Sequence, residues 1–219
     1  MAIEHYDAIV IGAGISGLSA AYHLKTYCPG KSYKVIERRD NIGGTWDLFN
    51  YPGIRSDSDM YTFGYAFKPW SDKAAIARKE KILEYLDETA QEYDIQKHIE
   101  FGLHSRRCEW NSETATWTVT TEATDGSGER VFTCQYVFMC VGYYNYDAGY
   151  TPEFVGREDF KGSILHPQFW PADTDYADKN VVIIGSGATA ITMLPAMADK
   201  AKHVTMLQRS PTYMGSKPA

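Results

Sequence analysis

The sequence lacks three features, and each absence removes a class of function. Its four cysteines, Cys28, Cys108, Cys134 and Cys140, include no C-x-x-C pair. A dithiol redox centre and a cysteine-built metal site are therefore disfavoured, no metal is expected, and a reducing, cytoplasmic setting is the default. Positive charge is short: 22 Lys and Arg against 28 Asp and Glu give a formal net charge of −6. A nucleic-acid partner would need clustered Lys and Arg, so none is expected. No apolar run approaches the roughly 18 to 20 residues of a membrane span. The acidic opening MAIEHYDAIV goes directly into a strand pattern and does not read as a signal peptide. Peripheral membrane association and oligomeric state stay open.

What is present is an ordinary globular composition with many flat rings. Hydrophobic residues make up 44% and charged residues 23%, while 16 Tyr and 5 Trp help bring aromatics to 14%. Most of those rings are expected to fill a core, and some to pack against a planar ligand. A chain of 219 residues holds one large domain or two small ones.

The opening YDAIVIGAGISGLSAAYHL reads as a short strand over 8–11, a glycine turn and an Ala/Leu-rich helix, with YKVIE as the next strand. GAGISG is G-x-G-x-x-G. In that pattern Gly12 makes the tight turn, Gly14 lets backbone approach a pyrophosphate, and Gly17 lets helix pack on strand. The phosphate then sits at the helix N-terminus. Glu37 follows 20 residues after Gly17 (37 − 17), where a carboxylate can accept hydrogen bonds from a ribose diol.

The pattern recurs in NVVIIGSGATAITMLPAMA followed by HVTMLQR, with Gly185 lying 173 residues after Gly12 (185 − 12). Gly185, Gly187 and Ala190 form G-x-G-x-x-A. Arg209 stands near where an acid would mark an NAD site, and a guanidinium there favours the 2′-phosphate of NADP. The repeat means two dinucleotide sites, or one site and a decayed copy. The expected fold is α/β with two Rossmann-like dinucleotide-binding units, both incomplete because the chain stops early.

Between the two strand–turn–helix units, 74–93 reads as an amphipathic helix with Ile76, Leu83, Leu86, Ala90 and Tyr93 on one face. WTVTT and RVFTCQYVFMC flank DGSG as an antiparallel hairpin, and YVFMCVG reads as a buried strand. Residues 143–179 are irregular. The long loop after Arg38 is dense in Gly, Pro and aromatics, which favours function over disorder. Gly43 and Gly44 let backbone run flat against a ring system that Trp46 could wall. Asp57 is either an acid near a reactive centre or a helix N-cap within SDSDM. The expected division is 1–145 for the first nucleotide domain, 146–179 for a linker, and 180–219 for the start of the second.

Taken together, GAGISG, GGTW, YPGIRSDSDMYTFGY, FKGSILHPQFWP and GSGATA resemble the class B flavin-dependent monooxygenases, and within them the Baeyer–Villiger branch. The linker string matches that branch's FxGxxxHxxxWP fingerprint at Phe160, Gly162, His166, Trp170 and Pro171. The resemblance implies FAD on the first unit, with Ser16, Glu37, Gly44, Thr45, Trp46 and Asp57 beside it. It implies NADPH on the second, with Arg55, Ser56, Gly185, Ser186, Gly187, Ala188, Thr189, Ala190, Arg209 and Ser210. NADPH would reduce the flavin, O2 would add at C4a, and the peroxyflavin would attack a ketone to give an ester or lactone, with sulfide oxidation as a side activity. Asp57 would be the active-site carboxylate, paired with an arginine. His166 would act in structure and conformational control.

That paired arginine is expected in a C-terminal half beyond Ala219, and nothing here replaces it. Exposed sheet edges should favour association with such a half, or self-association. Two alternatives remain: an N- or S-oxygenating flavin monooxygenase, and a non-catalytic FAD/NADP-binding fragment.

Overall fold

The computed structural model describes residues 3–215. In chain order the elements are β1 (Glu4–Ile11), α1 (Ile15–Tyr27), β2 (Tyr33–Ile36), α2 (Thr45–Leu48), α3 (Met60–Phe63), α4 (Lys79–Glu92), β3 (Ile99–Glu100), β4 (Leu103–Asn111), β5 (Thr116–Ala123), β6 (Glu129–Met139), β7 (Asn180–Ile184), α5 (Ala188–Ala198) and β8 (His203–Leu207). They fall into two compact units. The first runs to Asp47 and resumes over Ile82–Tyr143; the second takes Leu48–Lys81 and the described residues from Tyr144 on.

The first unit is built on a six-stranded sheet of order β3-β2-β1-β6-β5-β4. The β3-β2-β1-β6 part is parallel and β6-β5-β4 is antiparallel. β1 is apolar over Ala8–Ile11 because it lies between two strands, pairing Val10 with both Val35 and Phe138. One sheet face buries Ile9, Ile11, Ile36, Leu103, Val119, Phe132 and Cys134 as the core. The β5–β6 hairpin turns over 124–128 as its Asp-Gly-Ser-Gly sequence suggests, with Ala123 N–H donating to Gly128 O.

Several elements differ from their sequence expectation: β1 starts at Glu4 rather than at 8, and α2, α3 and β3 were not expected. The amphipathic helix begins at Lys79 rather than at 74, because Ala75 and Ala77 pair their carbonyls with Met60 and Ser56 N–H groups outside any helix. Its buried stripe is Ile82, Tyr85, Leu86, Thr89 and Ala90, so Ile76 lies outside it. β4 has no counterpart in the sequence reading, since LHSRRCEWN is mostly polar; cross-strand pairs such as Trp110 with Trp117 hold it at the edge. The run YVFMCVG pairs with β1 alone, because the register with β5 ends at Cys134, and Tyr136, Phe138 and Met139 are exposed. β6 is central over 129–134 and has β1 as its one partner over 136–139, so among the described residues the run is not a buried strand.

The second unit contains the repeat. β7 and β8 pair in parallel, with α5 as the crossover. Residues 143–179 are irregular apart from two short 3-10 turns at Arg157–Asp159 and Pro167–Phe169. Among the described residues, no helix is long and apolar enough to cross a membrane, and no group of His, Cys, Asp and Glu could hold a metal ion.

Candidate functional site

The two glycine turns have the same backbone construction. Gly12 N–H donates to the carbonyl of Ile36, the last residue of β2, at 2.8 Å; Gly185 N–H donates to that of Leu207, the last residue of β8, at 2.9 Å. Gly14 caps α1 and Gly187 caps α5, both at φ −77°, and neither helix has a side-chain cap. A helix N-terminus that presents backbone N–H groups without a capping side chain suits an anion. The repeat differs at its third position. A Cβ on Gly17 would stand 1.8 Å from Gly12 O, so only glycine fits there, whereas Ala190 is buried without conflict.

In the first unit the loop after β2 closes on this turn. Gly43 N–H donates to Ala13 O at 3.0 Å, and a Cβ on Gly14 would stand 3.5 Å from Gly44 Cα. Glu37 is 5% exposed. Its Oε2 accepts from Ala13 N–H at 2.7 Å and its Oε1 from Arg39 N–H at 2.9 Å. The carboxylate thus orients the turn, and each oxygen retains a lone pair for a ribose hydroxyl. Arg39 in turn donates through Nε and Nη2 to Asp47 Oδ2, at 2.9 and 2.6 Å. That ion pair fixes the start of α2, where Thr45 and Trp46 stand half-buried; Ser16 is exposed in the first turn of α1. These residues fit a dinucleotide: a capless helix end, glycine backbones beside it, and a carboxylate at the tip of the second strand.

The second unit gathers a different set. Ser186 Oγ accepts from Thr212 Oγ1 at 2.8 Å, which draws the segment after β8, with exposed Arg209 and Ser210, toward the turn. Tyr51 is buried, and that burial is the main cause raising the pKa of its hydroxyl. Ser56 is buried and fastened to Ala77: its N–H donates to Ala77 O at 2.8 Å and its Oγ accepts from Ala77 N–H at 3.0 Å. Arg55 lies directly opposite Arg78 in an antiparallel bridge. Both line a cavity of about 560 Å3 together with Lys79, Thr192 and Pro195, within the usual range for small-molecule sites.

Asp57 is exposed and caps no helix. The cap belongs to Asp59, whose Oδ1 accepts from Thr62 N–H at 3.0 Å at the start of α3. The capping alternative for Asp57 therefore falls to its neighbour two residues on. His166 caps the 3-10 turn at Pro167: its Nδ1 accepts from Gln168 N–H at 3.2 Å, which puts the proton of the neutral ring on Nε2. Its ring lies against Gly149, where a Cβ would come within 2.2 Å of Cε1. Phe160 covers Gly162 in the same way, and Trp170 meets Tyr176 edge-on. The fingerprint residues are thus engaged in local packing.

Sequence reasoning did not single out the Arg39–Asp47 pair, Arg78 or Thr212. A charge pair eight residues apart after the second strand was the available signal for the first. The others depend on chain segments brought together only by the fold.

Comparison with known proteins agrees with this arrangement. A family model described as FMO-like, flavin-binding monooxygenase-like, matches residues 6–217. The chain is 56% identical over 216 residues to the FAD-containing monooxygenase EthA of Mycobacterium tuberculosis H37Rv, covering 98% of this chain and 44% of that protein. It thus spans less than half the length of that relative. Among solved structures it is similar to cyclohexanone-bound cyclohexanone monooxygenase, with TM-score 0.81, 28% identity, and coverage of 97% of this chain and 40% of that one. It is also similar to OTEMO in complex with FAD and NADP, with TM-score 0.78, 31% identity, and coverage of 94% and 39%.

Proposed function

The chain belongs to the FMO-like family of flavin-binding monooxygenases, and from that membership we propose an FAD- and NADPH-dependent monooxygenase that inserts one oxygen of O2 beside a ketone carbonyl. The other oxygen leaves as water, NADPH supplies the two electrons, and the product is an ester or lactone. Sulfides are proposed as a second substrate class, and the cytoplasm as the setting. The observation that carries this reading is the repeated turn: one cradle built on Gly12, Gly14 and Gly17, and another on Gly185, Gly187 and Ala190.

FAD fits the first turn, with Glu37 accepting ribose hydroxyls while it holds Ala13, and with Gly44, Thr45 and Trp46 beside it. When bound, flavin supplies hydride acceptance and oxygen activation. NADPH fits the second turn, where the α5 N-terminus and Ser186 take the pyrophosphate and Arg209 the 2′-phosphate. Ser56 holds Arg55 and Asp57 out on an exposed segment, where the Asp57 carboxylate can accept a hydrogen bond from a bound amide N–H or hydroxyl. His166 fixes the geometry of the linker and takes no proton from substrate.

The test is turnover under 18O2. The protein is loaded with FAD and given NADPH and a panel of ketones and sulfides. Ester carrying one 18O, with NADPH consumed in equal amount, is expected from ketones. Sulfoxide without any ester would move the assignment to S-oxygenation, and FAD binding without NADPH consumption would leave a nucleotide-binding role alone.

A further inference from the structure

Backbone pairing in the second unit forces two arginines together. Ser56 N–H donates to Ala77 O at 2.8 Å, and Lys79 N–H to Ile54 O at 3.3 Å. Those bonds flank Arg55 and Arg78, which stand directly opposite one another in the bridge. In an antiparallel pair flanked in this way the opposed Cα atoms are about 4.5 Å apart, and the two side chains leave on the same face. Like charges so placed repel. Neither guanidinium has a carboxylate partner among the described residues.

Both arginines line the cavity of about 560 Å3 that lies between this bridge and α5, and every residue lining it belongs to the second unit. Its apolar wall is Tyr51 and Ile54, each 8% exposed, with Pro195 and Ala196 of α5. Gly53 sets the approach of the two walls. At φ +76° it passes α5 so closely that a Cβ would stand 2.6 Å from Ala196 Cβ and 2.9 Å from Thr192 O. Lys79 adds an ammonium, held by Phe49 O at 2.9 Å and by Asn50 Oδ1, and Glu80 adds one carboxylate. The charged lining therefore has two positive charges in excess (3 − 1 = 2).

Two neighbouring guanidinium forks suit a phosphate, whose oxygens accept parallel N–H bonds. Charge separates the candidate anions. A phosphate monoester carries about −1.5 to −2 near pH 7 and matches the excess, while a carboxylate carries a single negative charge. The cavity is roomier than a bare phosphate needs, and its apolar wall suits an organic body. It is also set apart from the second glycine turn. Thr192, which lines it, lies five residues past Gly187 (192 − 187), about 7.5 Å along the helix axis. Among the described residues, none of 185–190 lines it.

We propose that Arg55 and Arg78 form a binding site for a phosphate monoester with a small apolar body, seated against α5 beyond the second glycine turn. The bound dianion offsets the repulsion that the backbone pairing imposes on the two guanidiniums. The site stands apart from the NADP reading of that turn, and either can fail without the other.

The probe is phenyl phosphate, titrated calorimetrically into the 219-residue chain at low salt and at a pH above the second phosphate pKa of about 6. It is expected to bind roughly tenfold more tightly than inorganic phosphate, which lacks the ring, or benzoate, which lacks the second charge. Arg55→Gln and Arg78→Gln should each weaken it by roughly tenfold or more. Arg78→Lys, which keeps the charge without the fork, should weaken it less. Both arginines are exposed, so circular dichroism of the variants should match that of the parent chain. Acidifying through a pH of about 6 should weaken binding as the second phosphate charge is lost. No binding of phenyl phosphate, or unchanged affinity in both Gln variants, overturns the site. Inorganic phosphate binding as tightly as phenyl phosphate overturns the apolar body, and benzoate binding as tightly overturns the choice of a phosphate.

Discussion

The Glu37 carboxylate accepts from Ala13 N–H at 2.7 Å, across 24 residues of sequence and inside the first glycine turn. Its other oxygen accepts from Arg39 N–H, so one buried acid sets both the turn and the loop that closes on it. Hydrogen bonds to a charged group contribute about 1.5–3 kcal/mol each. Glu37→Gln keeps one acceptor and turns an NH2 toward the other N–H. It should lower stability by about 2 kcal/mol and weaken FAD binding as well. Denaturant midpoints and FAD titration measure both. Loss of FAD affinity with no change in stability would mean that Glu37 serves the ribose and not the turn.

How much of this can be read from sequence depends on how far the interacting residues are from one another. The glycine turns are legible because their geometry is set within six residues and one following strand, and Gly12, Gly14, Gly185 and Gly187 stand where that pattern puts them. Asp57 and Asp59 are both plausible caps in SDSDM, and the choice is made by which one precedes Met60 as it enters α3. Propensity does not locate the start of α4, because Ala75 and Ala77 answer to the backbones of Met60 and Ser56. The docking of Gly53 on Ala196 joins residues 143 apart (196 − 53), and nothing local in YPG announces it.

Arg55 and Arg78 face each other across an antiparallel bridge, and neither has a carboxylate partner among the described residues. Like charges directly opposed on adjacent strands repel, and opposite charges attract by a few tenths to about 1 kcal/mol. Both side chains are exposed, so solvent screens the effect. Arg78→Glu should therefore stabilise the ligand-free chain by about 0.5 kcal/mol at low salt, and by less at high salt. A melting temperature that falls would show that Arg78 already has an anionic partner, and a gain independent of salt would show that repulsion from Arg55 is not its source.

Stability should decline in alkali through two buried groups. Burial pushes the Cys134 thiol from 9.0 up to about 11, and the Tyr33 hydroxyl from 10.0 up to about 12. Each group holds its proton in the folded state where the unfolded chain releases it. Their contributions are intact below pH 9, and are lost as pH rises toward 11 for Cys134 and 12 for Tyr33. At about 1.4 kcal/mol per pH unit, Cys134 alone should remove roughly 2 kcal/mol between pH 9 and 11. Cys134→Ala should flatten that interval in urea titrations. Tyr33→Phe should flatten the next one, and should raise stability at pH 7 by about 1 kcal/mol, because the Tyr33 hydroxyl is buried without a partner. Equal slopes in all three proteins would refute the assignment.

The third position of the two glycine turns offers a paired experiment with opposite outcomes. A Cβ on Gly17 would stand 1.8 Å from Gly12 O, a backbone atom of the turn itself, so Gly17→Ala must push α1 away from β1. Overpacking of this kind costs about 1–3 kcal/mol where neighbours can move, and backbone on both sides leaves little to move. The cost should therefore reach or exceed about 3 kcal/mol, with FAD affinity lost in parallel. Ala190 holds the same place in the second unit, buried and without conflict. Ala190→Gly gives up one methyl group and some helix propensity, about 1 kcal/mol in α5, and should leave the turn intact. Thermal melts of both variants, each with and without FAD, measure the contrast. Equal losses at the two positions would mean that the turns share a sequence pattern without sharing the tight strand–helix approach that makes glycine obligatory in the first.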